Sequence, residues 1–351
     1  MRKKNRLFQI KYIAILLIVL SVSALFGCGK QFDTKQAGEM TEEDEDTMTP
    51  TDDNLIVVGV SQIGSESVWR TANTASLQKV FTKENGYFLI LDNARQKQEN
   101  QIKAIRGFIS QQVDYIVFSP ITEDGWDTVL QEAKDAGIPV ILMDRKVKVQ
   151  DPSLYTVWVG SNFVEEGQKA GEWLEDYLTQ KKRDEDKIRI VELMGTEGST
   201  PMVGRTAGFH YIAKSHDNWQ ILEEAGGEFT TAKGREEMER LLRRYPDIDV
   251  VVSQNDDMTF GALEAIRAAG RTTGVNGDMI VISFDAVKEA LELVQKGTIH
   301  VDVECNPEQA DYIERVIRKL ERGEAVERAY YVPEMVFTID NVGDYLDERT
   351  Y

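Results

Sequence analysis

Side chains suited to holding a small polyhydroxylated molecule crowd into the six positions from Ser65 to Arg70. Ser65 and Ser67 bring hydroxyls, Glu66 a carboxylate, Trp69 a flat ring and Arg70 a planar guanidinium, so a sugar would find acceptors, donors and a stacking surface there. The stretch follows the apolar run Leu55 to Val60 directly and leads into a segment of helical periodicity. In a parallel α/β sheet, the turn leaving the first strand opens into the ligand crevice. The same residues also suit an ordinary helix start, with Ser65 as the cap, Glu66 in the first turn and Trp69 in the core.

Other polar residues stand where apolar runs end. Asp144 and Arg145 follow Val140 to Met143, Asn255 and Asp257 follow Val250 to Ser253, and Asp285 follows Ile280 to Phe284. Arg205 opens a helical segment after Gly195 to Gly198, and Gln96 follows a run that ends at Asp92. Taken singly, each reads as a surface ion pair or a helix cap. Five such coincidences at strand ends point to one shared crevice. Carboxylates accept hydroxyl protons, guanidinium groups donate in a fixed fork, and such charge-assisted bonds are worth about 1.5–3 kcal/mol each.

The elements that would position these residues alternate from Leu55 onward. Short β-branched or aromatic runs at 55–61, 86–92, 115–119, 139–144 and 156–160 are separated by helical patterns at 68–84, 98–112 and 124–136; Ile102, Ile105, Phe108 and Ile109 show the spacing. After a helix at 163–180 the alternation resumes: strands at 188–193, 219–224, 250–253, 279–284 and 300–304, helices at 204–214, 236–245, 257–269, 287–296 and 307–322, and a strand-like end around 332–339. The pattern predicts an α/β protein with two doubly wound parallel-sheet lobes, since one sheet of ten or more strands is unusual. The crevice between the lobes is the expected ligand site.

The start of the chain predicts export. Arg2 to Arg6 form a positive cluster, residues 12–27 are almost wholly apolar, and Leu25-Phe-Gly-Cys28 closes the run. This is the layout of a signal peptide (1–27), and its last four residues resemble a bacterial lipobox that would put a lipid on Cys28. Residues 39–53 hold eight carboxylates and no Lys or Arg. Such a composition buries no core, so 28–54 reads as a disordered tether with a reach of about 30 Å. The anchored body would sit outside the cytoplasm, on the cell membrane.

Net charge is −19 with a pI near 4.7, which argues against nucleic acid or an anionic membrane surface as partner. Cys28 and Cys305 are the only cysteines, so no disulfide framework is possible once the first is lipidated. His210, His216 and His300 match no metal spacing, and no P-loop appears, so neither metal nor cofactor is expected. A secreted sugar-active enzyme is disfavoured, because Asp144 and Asp285 would each lie near a group that keeps them ionised, whereas a glycosidase needs one raised carboxyl.

The segments 59–70, 96–101, 132–139, 144–145, 255–258 and 283–285 together resemble the type I periplasmic sugar-binding proteins of the ribose-binding class. Within that class the chain is most similar to the galactofuranose-binding proteins of ABC transporters. The resemblance implies that Trp69 stacks on the sugar ring, that Arg70, Gln96, Asp144, Arg145, Arg205, Asn255 and Asp285 bond its hydroxyls, and that Phe229 closes the other face. Glu304 or Cys305 would add a last polar contact, with Ser65 and Glu66 from the first turn. It further implies three hinge crossings near Gly160, Glu304 and Val332, hence lobes of 55–160 plus 305–332 and 161–304 plus 333–351. A monomeric receptor delivering a monosaccharide to an ABC permease follows; a sensor kinase or chemoreceptor is the alternative partner. Trp158, in Tyr155-Thr-Val-Trp158, is an extra aromatic that this reading does not use.

Overall fold

The structure is a computed structural model that describes residues 54–351. The expected signal peptide, Cys28 and the expected acidic tether up to residue 53 lie outside the described residues.

The chain opens with β1 (Ile56–Gln62), α1 (Val68–Val80), β2 (Tyr87–Asn93), α2 (Gln98–Gln111), β3 (Tyr115–Phe118), α3 (Asp127–Asp135), β4 (Val140–Met143) and β5 (Val157–Gly160). It continues with α4 (Phe163–Gln180), β6 (Ile188–Met194), α5 (Thr200–Ala213), β7 (Trp219–Gly226), α6 (Thr231–Arg244), β8 (Val250–Ser253), α7 (Asp256–Ala268), β9 (Ile280–Asp285), α8 (Lys288–Gln295) and β10 (Val301–Glu304). Then come α9 (Ala310–Glu321), β11 (Ala329–Tyr331) and β12 (Val336–Thr338).

Two six-stranded sheets result, in the orders β11-β5-β4-β3-β1-β2 and β12-β10-β9-β8-β6-β7. Every pairing is parallel except β12 against β10. The chain passes between the sheets after β5, after β10 and after β11, so each lobe is built from more than one stretch of sequence.

Strand residues alternate between the two faces of each sheet, and helices cover both. In the first lobe Val58 and Val60 pack with Leu77, Ile313 and Ile317 on one face, while Ile116, Leu142 and Trp158 pack with Phe108 and Leu130 on the other. In the second lobe Ile188 and Ile190 meet Leu174 and Phe209, and Val191 and Leu193 meet Met238 and Met258. Each such side chain removed from water stabilises the fold by about 1.5–3 kcal/mol. The central strands therefore read as unbroken apolar runs, whereas the edge strands β2 and β7 are only partly buried.

Several boundaries differ from the sequence expectation, among them the start of α5, at Thr200 rather than at residue 204. Helix α1 stops at Val80 rather than at residue 84, with Phe81 turning inward. Helix α6 starts five residues early, at Thr231, because the Thr230 hydroxyl accepts from Lys233 N–H and Gly234 packs on the Met258 backbone of α7. Of the strand-like end at 332–339 only Val336–Thr338 is strand, as β12; β11, unforeseen, precedes it in the other sheet, with Pro333 in the passage between them.

Candidate functional site

The first wall of the cleft is the turn after β1. Ser67, and not Ser65, caps α1, its Oγ accepting from Arg70 N–H at 3.0 Å. Trp69 and Arg70 then fall on the buried side of the first turn. The Trp69 indole Nε1–H donates to Cys305 O at 2.5 Å, which fixes the ring against the second passage between lobes. Arg70 donates from Nε to Glu66 Oε1 at 3.0 Å and from Nη2 to Asp144 Oδ2 at 2.7 Å, where Ser119 Oγ also donates at 2.9 Å. Burial alone would lower the Arg70 guanidinium, but the Asp144 and Glu66 charges outweigh it and raise its pKa.

Asp144 leaves β4 with a φ of 61°, in the left-handed region, which lets neighbouring Asp144 and Arg145 both reach the cleft. Arg145 has fewer partners than Arg70. Its Nη1 donates to Ile121 O at 2.8 Å, and its Nε stands 3.9 Å from Asp144 Oδ2. Burial, with the Arg70 charge adding to it, lowers Arg145 to about 10.

The second wall depends on two helices pressed together. Gly167 of α4 lies so close to the Arg205 carbonyl of α5 that a Cβ would not fit. Glu166 Oε2 consequently accepts from Arg205 Nε at 2.6 Å, while Nη2 donates to Asp285 Oδ1 at 3.1 Å and Nη1 to Gln254 O. Burial raises the Asp285 carboxyl well above its ordinary value, against the pull of Arg205. Phe229, at φ 59°, lays its ring over Gly195 and 5.4 Å from the Arg145 guanidinium. Asn255 caps α7 through Met258 N–H at 2.9 Å and donates to Phe229 O at 3.3 Å.

These walls bound a cleft with about 30 Å³ of free space. Glu66, Trp69, Arg70, Asp144 and Arg145 line one side, and Arg205, Phe229, Asn255 and Asp285 line the other. Among the described residues, Glu66 Oε2, Arg70 Nη1 and Arg145 Nε are buried polar atoms without a hydrogen-bond partner in the protein.

Ser65, Gln96 and Glu304 stand outside the cleft. Ser65 is exposed and accepts from Asn93 Nδ2 at 3.2 Å. Gln96 is exposed in a turn where it and Arg95 both have left-handed φ, and its side chain lies over Gly64. Glu304 is occupied by Arg349 Nη1 at 2.6 Å, Tyr351 Oη at 2.9 Å and Met335 N at 2.9 Å. Cys305 is the neighbour that reaches the cleft.

Ser67, whose hydroxyl the sequence offered, also lines the cleft; so do Phe163 and Pro201, and Glu166 and Ser119 hold its charged groups, without having been singled out in the sequence. Phe163 had a signal: it follows the Asn162 cap in the first turn of a helix shortly after a strand, much as Trp69 follows the Ser67 cap. Glu166 had none, because its role arises from α5.

Side chains from all three passages meet under the cleft. Ser161 Oγ is 3.3 Å from Cys305 Sγ, Glu334 Oε1 accepts from Asn306 N–H at 3.1 Å, and Glu166, Cys305 and Glu334 bring ligand atoms within 4.8 Å of one another. Burial pushes the Cys305 thiol up, and burial with the Glu166 charge pushes Glu334 up to about 9. Burial raises Glu166 as well, against the pull of the Arg205 charge, so the two carboxyls take up protons as a pair.

A family model described as a periplasmic binding protein domain matches residues 58–324. The chain belongs to the periplasmic binding protein family. Among periplasmic binding proteins it is similar to the galactofuranose-binding protein YtfQ of Escherichia coli (strain K12), at 39% identity over 258 residues, 73% of this chain and 79% of that one. Its fold matches a Mycobacterium smegmatis structure in complex with β-D-fucofuranose, with a TM-score of 0.80 and 40% identity over 84% of this chain and 95% of that one. It also matches the binding component of the arabinose ABC transporter of Shewanella sp. ANA-3, bound to α- and β-L-arabinofuranose, with a TM-score of 0.78 and 38% identity over 84% and 95% of the two chains.

Proposed function

We propose that this periplasmic binding protein is an extracytoplasmic receptor that closes on one neutral monosaccharide in its furanose form and hands it to an ABC permease. The observation that carries the reading is the set of buried, unpartnered atoms on one wall, an acceptor at Glu66 and donors at Arg70 and Arg145, beside the Trp69 ring. Hydroxyl groups satisfy both kinds at once, and a C–H face of a sugar suits the indole. Neutrality follows from pairing: Arg70, Arg145 and Arg205 each stand within 3.9 Å of a carboxyl oxygen of Glu66, Asp144, Glu166 or Asp285, so an anion would find no cation without a carboxyl beside it. Similarity to furanose-bound structures, one of them part of an ABC transporter, supports the ring size and the partner.

The same reading makes the protein a monomer that binds without catalysing, tethered by a lipid on Cys28. Metabolic labelling with a fatty-acid analogue tests the tether: label lost in Cys28→Ser supports it, and label retained removes it. For the ligand, a thermal-shift screen of monosaccharides followed by calorimetry decides. A ligand at 100 times its Kd stabilises the protein by about 2.7 kcal/mol, a shift of several degrees. A hit confined to furanose-forming sugars upholds the proposal, and a screen with no sugar hit rejects it.

A further inference from the structure

Trp158 lies outside the cleft yet touches the turn that supplies two of its charged groups. It sits in β5 with 1% exposure, and its indole Nε1–H donates to Asp144 O at 3.0 Å. On the other side of the same residue, Asp144 N–H donates to Val159 O at 2.8 Å. Strand β5 thus grips both backbone polar groups of a non-glycine residue in the left-handed region. That conformation is disfavoured for a residue with a side chain and persists only where its surroundings hold it.

The space around the indole is shaped for this bond. At Gly160 a Cβ would come within 2.6 Å of the Trp158 ring and 2.8 Å of Asp144 O. Lys146 sets its ammonium 3.8 Å from the Trp158 ring centroid, and Tyr331 packs edge-on at 5.2 Å. The residue after Arg145 is therefore anchored to the same indole. An ordinary core tryptophan would bury its ring and send its N–H to any near acceptor; this one meets the carbonyl whose orientation sets where the next two side chains go.

We propose that Trp158 is a positioning residue for the ligand: its N–H bond holds Asp144 in the left-handed turn that aims Asp144 and Arg145 together into the cleft. The inference rests on the reading of the cleft as a sugar site. It adds a specificity element on the strand next to the one that delivers Asp144, supplied by the aromatic that the family resemblance left without a role.

The test uses the full chain in two variants. Trp158→Phe keeps an aromatic ring in the core and removes the N–H, while Gly160→Ala leaves the tryptophan and presses on the same bond. Hydrogen exchange of the sugar-free protein is measured over residues 144–147, and D-galactose, D-fucose and L-arabinose are titrated by calorimetry. Faster exchange confined to that turn, with binding weakened about tenfold, is the expected result. Loss of affinity should also be much smaller when Trp158→Phe is added to Arg145→Ala than when it is made alone, a coupling that a merely structural role would not produce. Unchanged exchange at the turn in either folded variant overturns the proposal, as does faster exchange with unchanged affinity. If wild-type protein binds none of the three sugars, the functional reading fails, and the exchange measurement still decides whether Trp158 holds the turn.

Discussion

The Val68 backbone N–H, at the start of α1, donates to Asp257 Oδ2, in the first turn of α7, at 3.1 Å. This bond joins the two lobes beside the cleft and places a carboxylate at a helix N-terminus, where the dipole favours negative charge. Burial works the other way and, with Glu66 and Glu289 adding like charge, lifts Asp257 to about 6. Opening the lobes would return this side chain to water and to a value near 3.9. The closed form therefore binds more protons, and closure is favoured as the pH falls through 6. Sugar affinity is expected to rise about fourfold from pH 7.5 to 5.5. Calorimetry across that range checks it, and Asp257→Asn, which keeps an acceptor for Val68, should flatten the profile. The same slope in both proteins would assign the effect to another group.

Arg145 is the cation with least to lose by removal and most to offer a ligand. Its Nε has no partner, and burial, with neighbouring Arg70 and Arg205 adding to it, lowers its pKa. Arg145→Ala is expected to cost about 2–4 kcal/mol of sugar binding, since a buried hydroxyl and Asp144 both lose a partner. The melting temperature of the sugar-free variant should change little. Undiminished affinity in calorimetry would exclude Arg145 from the contact set.

The carboxyl pair under the hinge makes stability depend on pH. Glu334 faces Glu166, Arg205, Ser161, Cys305 and Asn306, and its pKa rises from the ordinary 4.5 to about 9 through burial and the Glu166 charge. A carboxyl raised in the folded state releases its proton on unfolding, so its contribution is greatest below about 4.5 and is lost as the pH climbs to about 9. Glu334→Gln cannot ionise and should melt several degrees higher than wild type at pH 9, with the gap closing toward pH 5. A gap independent of pH would place the proton elsewhere.

The contact of α4 with α5 gives a stability test linked to the site. A Cβ at Gly167 would meet the Arg205 carbonyl and the Phe209 N–H. Gly167→Ala is expected to cost about 1–3 kcal/mol by overpacking, although alanine is the better helix former. Because the strain falls where Glu166 holds Arg205, sugar affinity should drop as well. A higher melting temperature would show that the helices can part freely.

Sequence alone determined the architecture and the candidates. Apolar runs such as Val250 to Ser253 can lie only in a sheet covered on both faces, and charged residues placed straight after such runs must sit at strand ends. Nine of those candidates line the cleft, because the carboxyl end of a parallel sheet collects whatever the strand-to-helix turns carry. Tertiary structure decided which neighbour at each turn faces inward. Backbone dihedrals did this at Gln96, turned out by a left-handed pair, and at Asp144, held in by Trp158. Distant partners did it at Glu304, drawn off by Arg349 and Tyr351, and at Glu166, delivered to Arg205 by two helices in contact through glycine. Periodicity reports what a residue's own element must bury; the direction of a polar side chain at a turn is set by groups tens or hundreds of positions away, and only their arrangement in space reveals it.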